Sequence, residues 1–368
     1  MKPKKVELTE LFYDLVFVYA ISKITEILHH TTTTHFGIEF TLFVVLMIVF
    51  INTWMVQTVY TNRYGRNSIP NLLFFMVDMG IILFMSSNIE PSLEAFRPVV
   101  MAAGLLTVTL VLQYWLTNRQ TTDPINRQIN QIFIYILSLR ASLLLTATIL
   151  PLRYGLIVAV IAILSGWILP AVFTNRMKDR PINFPHLLER LTALSIIAFG
   201  EVIINIAPYF ELKKVTLFSG LIFVTICMLF MTYITQFDHW IDEHRENESG
   251  VRLIYLHYPI LFGISLVTIG FRFINDSHFD ALFANCLLYA GIAVFYLGIF
   301  LSDAYNKRQL QKKPIVLVTH IITMVIGLGV CVVFRRFEIT VAVTALMTFS
   351  NAFMSAYTMV QQSRVLDK

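Results

Sequence analysis

The sequence predicts an all-α polytopic membrane helix bundle of about 12 transmembrane helices, built as two parallel six-helix repeats. Three observations predict it. Of 368 residues, 57% are hydrophobic and 14% charged, against about 25% charged in an ordinary soluble domain, and the mean hydropathy is +0.69. Apolar runs of roughly twenty residues, the length that crosses a bilayer, recur along the chain. A shift of 175 positions lays Asp14 on Glu189, Glu26 on Glu201 and Thr41-Leu42-Phe43 on Thr216-Leu217-Phe218.

The first span, 10–29, begins Glu10-Leu-Phe-Tyr-Asp-Leu-Val-Phe-Val-Tyr-Ala-Ile and carries Asp14, Lys23 and Glu26. A carboxylate at the centre of a membrane helix costs roughly 2.5–3.5 kcal/mol, so it needs a buried partner or a watery cavity. The second span, 38–60, places Trp54, Gln57 and Tyr60 on one face, either a substrate wall or an interfacial anchor. The third, 70–87, opens at Pro70 and holds Asp78 at mid-length. The spans 97–117, 130–150 and 153–173 open at or after breaks at Pro98, Pro124 and Pro151, where proline removes a backbone donor. Arg140 lies midway along the fifth, and a structural pair with Asp78 is the economical arrangement for two deep charges.

A second lead helix, 186–207, carries His186, Glu189, Arg190 and Glu201. In each lead helix the two acids are twelve residues apart, roughly 18 Å along the axis. They bracket a proton or cation route, or else pair locally with Arg190 and Lys23; both readings stay open. The spans 215–237, 255–274, 279–302, 314–334 and 338–360 complete the set, with His257-Tyr258-Pro259 opening the ninth and loosening its first turn. Beyond the Asp238–Arg252 loop the repeat offset becomes 189 or 190, matching Pro70 to Pro259 and Pro124 to Pro314. The repeats are expected at 1–180 and 181–368, within one membrane domain.

Lys and Arg set orientation. Eighteen of the 28 lie with the N-terminus and the loops on its side, including Lys2, Lys4, Arg63, Arg66, Arg176, Lys178, Arg180, Lys312, Lys313 and Lys368. Seven lie opposite: Arg97, Arg153, Lys213, Lys214, Arg272, Arg335 and Arg336. Both termini are therefore expected in the cytoplasm. The same mapping gives the net charge of +5 a topological cause and removes nucleic acid as a partner. Cys227, Cys286 and Cys331 sit in apolar helices, so no disulfide framework is expected. Acidic residues follow the basic start and no cleavage site appears, so the first helix should be retained. His29-His30-Thr-Thr-Thr-Thr-His35 lacks a partnered carboxylate and is a poor metal site. No phosphate-cradling loop, nucleophile elbow or zincin pair is present, and neither metal nor cofactor is expected.

Three segments together resemble the bacterial low temperature requirement A (LtrA) family. The opening phrase from Glu10 is similar to the family's first signature, with Tyr13 where Phe is usual. His186-Leu-Leu-Glu-Arg-Leu-Thr-Ala-Leu-Ser-Ile-Ile-Ala-Phe-Gly-Glu201 resembles its central signature, and His257-Tyr-Pro-Ile-Leu-Phe-Gly263 a third. The resemblance covers nearly the whole chain. It implies a multi-pass protein of the bacterial cell membrane connected with growth in the cold, and carries Asp14, His186, Glu189, Arg190, Gly200, Glu201 and His257 over at matching positions. Phe12-x-Asp14-x-Val16-Phe17 is also similar to a short motif in a potassium-channel family of two six-helix repeats. Deep acids in both halves favour transport of an ion or small solute by a protein whose partner is the lipid bilayer. A membrane-embedded lipid-modifying enzyme and a non-transporting sensor or scaffold are the alternatives. Oligomeric state is left open.

Overall fold

The computed structural model describes residues 4–29, 31–90, 92, 95–173, 181–245, 248–310 and 314–366. Lys2, His30, Arg176, Lys178, Arg180, Lys312, Lys313 and Lys368, which enter the charge and metal expectations, lie outside the described residues. The protein is 84% helical with no strands among the described residues. Twelve α-helices are described: α1 (Leu8–His29), α2 (Phe36–Tyr64), α3 (Ile69–Ser87), α4 (Phe96–Gln120), α5 (Pro124–Ile149), α6 (Leu152–Val172), α7 (Phe184–Ile206), α8 (Leu217–Ile234), α9 (Val251–Ile274), α10 (Ala281–Leu301), α11 (Pro314–Phe334) and α12 (Phe337–Leu366). Each expected span corresponds to one of them. Eleven are long and apolar enough to cross a membrane; α1 is the exception, because its charged residues are too many for a conventional span.

Local chemistry sets the helix ends. Asp123 caps α5 by accepting from Ile125 N at 3.2 Å, with Pro124 in the first turn. Asp280 caps α10 through Phe283 N at 3.3 Å. The ninth helix differs from expectation. It starts at Val251, so Pro259 lies inside it rather than at its opening. Gly250 allows the earlier start: its φ of +72° is a left-handed conformation, and a Cβ there would run into Ile182 and Leu187.

The chain divides into two compact units. The first comprises Met1–His30, Gly37–Leu194 and His244–Ile254. Within it α1 packs on α3, and α3, α4, α5 and α6 are neighbours in chain order. Tyr114 stacks on Phe133 at 4.8 Å and meets Tyr60 edge-on at 4.9 Å, enclosed by Val56, Leu110, Ile129 and Leu137. The second unit comprises Thr31–Phe36, Ser195–Glu243 and Tyr255–Lys368. There α12 packs on α8 and α11, and α11 on α10. Polar cross-links tie these helices. Asn285 donates to the Cys331 carbonyl and accepts from Thr340, both at 3.0 Å, and Thr323 donates to Asn351 at 2.9 Å. Rows of exposed apolar side chains, such as Ile157, Val160, Ile161 and Leu164 on α6 and Ile321, Ile322, Val325 and Ile326 on α11, are the surfaces a helix presents to lipid.

Candidate functional site

Two polar constellations lie inside the first unit. The first joins α1, α2 and the start of α7. Residues four apart on a helix share a face. Glu10 and Asp14 use that spacing on α1, and His186 and Arg190 repeat it on α7, so the two helices meet rung against rung. On the upper rung Arg190 donates to Asp14 with both arms of its fork, Nε to Oδ2 at 3.1 Å and Nη2 to Oδ1 at 2.5 Å. Trp54 Nε1 adds a third bond to Asp14 Oδ1 at 2.7 Å, and its ring lies 5.5 Å from the guanidinium. On the lower rung His186 Nε2 meets Glu10 Oε2 at 2.9 Å.

The tautomer of His186 follows from its other neighbour. Asn62 is oriented by the Asn183 main chain: its Oδ1 accepts the Asn183 N–H at 2.9 Å and its Nδ2 donates to the carbonyl at 2.8 Å. The second Nδ2 proton goes to His186 Nδ1 at 3.1 Å. Nδ1 is therefore an acceptor, and Nε2 carries the proton that it donates to Glu10. Asn183 also caps α7, accepting from His186 N at 3.3 Å. Glu10, Asp14, His186, Arg190 and Trp54 are all buried. Lys4, whose ammonium lies 3.9 Å from Glu10 and donates to the Thr61 carbonyl, completes the charge balance. Burial pulls Lys4 below the ordinary lysine pKa, with Glu10 opposing. Two carboxylates face two cations around a neutral imidazole.

The second constellation is a file of neutral polar groups leading to two deep charges. Tyr60 OH bonds Thr117 Oγ1 at 2.9 Å and the Gln113 carbonyl at 3.4 Å. Gln113 accepts from Gln57 Nε2 at 3.1 Å and donates to Asp78 Oδ2 at 3.4 Å. Thr109 Oγ1 donates to Asp78 Oδ1 at 2.5 Å. A pinched cavity of about 10 Å³, bordered by Tyr13, Thr53, Gln57, Asp78, Thr107 and Arg140, continues the file with room for about one water. Arg140 then donates to Asn52 Oδ1 at 2.5 Å. Gly166 on α6 makes space for it, since a Cβ there would press on the Arg140 side chain. At the loop end, Tyr60 and Gln113 open onto a cavity of about 700 Å³ that Asn62, Arg63 and Arg66 also line.

The sequence-selected residues fall into different settings. Asp14, Arg190 and His186 come together, and Asp78 and Arg140 border one small cavity. The direct Asp78–Arg140 pair is replaced: Asp78 takes hydrogen bonds from Thr109 and Gln113, and Arg140 gives one to Asn52. Asp14 does not meet Glu189, because Glu189 is exposed, about 100° around α7 from the buried Arg190. Glu26 is paired with Lys23 at 2.7 Å and is nearly half exposed. In the second unit Glu201 is buried and accepts from Asn205, and His257 Nε2 meets Tyr233 OH at 3.2 Å. Trp54, Gln57 and Tyr60 turn inward to Asp14, Gln113 and Thr117 rather than serving as interfacial anchors. Glu10, Asn62, Asn183 and Gln113 were not singled out by sequence. Matching four-residue spacings, Glu10/Asp14 and His186/Arg190, were the one signal that could have found the first of them.

Residues 5–349 match a family described as bacterial low temperature requirement A protein. No curated protein matches the chain.

Proposed function

The chain belongs to the bacterial low temperature requirement A (LtrA) family, and we propose that it moves an ion or small solute across the bilayer. The single observation that carries this reading is the polar file of the first unit, from the open cavity through Gln113, Gln57 and Asp78 to Arg140. Ionisable groups at membrane depth are costly, and those that border a cavity mark candidate ion or substrate pathways. Asp78 and Arg140 fit that description, since neutral partners hold them next to a cavity instead of a direct ion pair. The Glu10–Asp14–His186–Arg190 cluster has the opposite character. It is closed, charge-balanced and doubly hydrogen-bonded, and acts as the clasp that holds α1 in place. Both termini face the cytoplasm in this reading, from the Lys and Arg asymmetry, and the activity supports growth in the cold.

Flux into proteoliposomes, measured over a panel of cations, anions and small metabolites, tests it. Wild-type protein should move at least one class. Asp78→Asn and Arg140→Gln should reach normal abundance and lose at least tenfold of that flux, with parallel loss of cold-growth complementation. Absence of wild-type flux across the panel, or full flux in both variants, would overturn the reading.

A further inference from the structure

We propose that the 700 Å³ cavity at the α2–α3 loop is a binding site for a phosphate-type oxyanion carrying a small organic group. The claim of binding stands on the cavity alone; only its identification as the transported class rests on the proposed function.

Among the described residues the wall of the cavity is rich in donors and poor in acids. Arg63 and Arg66 line it, with the side chains of Ser68, Asn126, Thr117 and Tyr60 around them. Among the described residues the one carboxylate on its wall, Asp123, is occupied in capping α5. None of the ion pairs among the described residues includes Arg63 or Arg66. Arg63 is half-buried, with its Nε enclosed by protein, Tyr64 beside its side chain and no carboxylate paired with it among the described residues. A half-buried guanidinium with no carboxylate against it leaves its charge uncompensated, and an anion in the cavity it lines would balance that charge. Two other basic groups of this unit are engaged elsewhere: Lys4 by Glu10 and the Thr61 carbonyl, Arg119 by the Trp115 ring at 3.8 Å.

Orientation alone does not account for this placement. An arginine that sets topology works from solvent, as exposed Arg66 could, whereas Arg63 is sunk into the cavity wall. Guanidinium forks match the paired oxygens of phosphate and carboxylate, and hydroxyl and amide donors supply the further bonds that a phosphate's three oxygens take. The volume exceeds that of orthophosphate and leaves room for a carbon skeleton against Tyr60 and Phe74. Such a group comes either from a soluble phosphate ester or from a lipid headgroup at the bilayer edge.

The test is equilibrium binding to the full chain, which needs no flux. Detergent-solubilised protein is titrated with glycerol 3-phosphate and, as a neutral control, glycerol. Protein in nanodiscs of phosphatidylcholine is titrated with phosphatidylglycerol and followed by native mass spectrometry. Saturable binding of glycerol 3-phosphate but not glycerol supports the site with a soluble source; saturable retention of phosphatidylglycerol alone supports it with a lipid source. In either case Arg63→Gln should weaken binding at least tenfold and Arg66→Gln severalfold. Arg66 is exposed in a loop, so its variant keeps the test valid should Arg63→Gln fold poorly. Failure of wild-type protein to bind either probe, or binding unchanged in both variants, would overturn the proposal. Binding without transport would leave the site standing and remove only the transport reading.

Discussion

Arg190 directs both arms of its guanidinium at one carboxylate while Trp54 fixes that carboxylate from the other side. Removing one member strands a buried charge, which typically costs 3–5 kcal/mol. Arg190→Gln and Asp14→Asn should therefore each lower membrane abundance and the thermal midpoint in detergent. The double variant removes both charges together and should lose less than the sum of the two, by about 0.5–3 kcal/mol of coupling. Glu189, one residue from Arg190 but exposed, offers the control: Glu189→Gln should fall within about 0.5 kcal/mol of wild type. Equal loss in Glu189→Gln and Arg190→Gln would show that the cluster is not the clasp described.

At the scale of elements, α1 is the described helix that carries more charged residues than a conventional span. Its position depends on α7, whose first turn presents His186 and Arg190 in the same four-residue register as Glu10 and Asp14. The α5–α6 contact shows the same dependence on a small feature. Gly166 leaves the space that Arg140 occupies on its way to Asn52. Gly166→Ala should displace the arginine, with an overpacking cost of about 1–3 kcal/mol that a detergent melting curve would register. It should also reduce flux, because the Asn52 bond is lost while Asp78 stays intact. An unchanged melting curve and unchanged flux would mean that α6 yields and that Arg140 is not held by this fit.

For the whole molecule, orientation and internal repetition are the open properties. If Lys and Arg asymmetry governs insertion, reporter fusions after Arg66 and after Lys368 should both read cytoplasmic; an outward-facing C-terminus would break the even count of crossings. Descent of the two halves from one six-helix ancestor remains a proposal. The chain-order contacts α4–α5–α6 and α10–α11–α12 occur at corresponding places. The acids that define the repeat, however, have diverged in setting: Asp14 is buried where Glu189 is exposed, and Glu201 is buried where Glu26 is nearly half exposed.

Twelve helices and their loops were legible from residue order because bilayer thickness and proline geometry act on contiguous stretches of chain. That Asp14, Asp78 and Arg140 are deep charges in need of compensation was legible for the same reason: cost depends on position along one helix. Which groups compensate them was not. Asp14 meets Arg190 across 176 positions, and Arg140 meets Asn52 across 88, and nothing local distinguishes these partners from the alternatives. The choice between Glu189 and Arg190 turned on about 100° of rotation around one helix axis, which the packing of α7 against α1 settles. The burial of Arg63 in a donor-lined cavity likewise belongs to the fold. In the sequence it is one more positive residue in a loop; the assembled helix ends turn it from a topological signal into a candidate anion ligand.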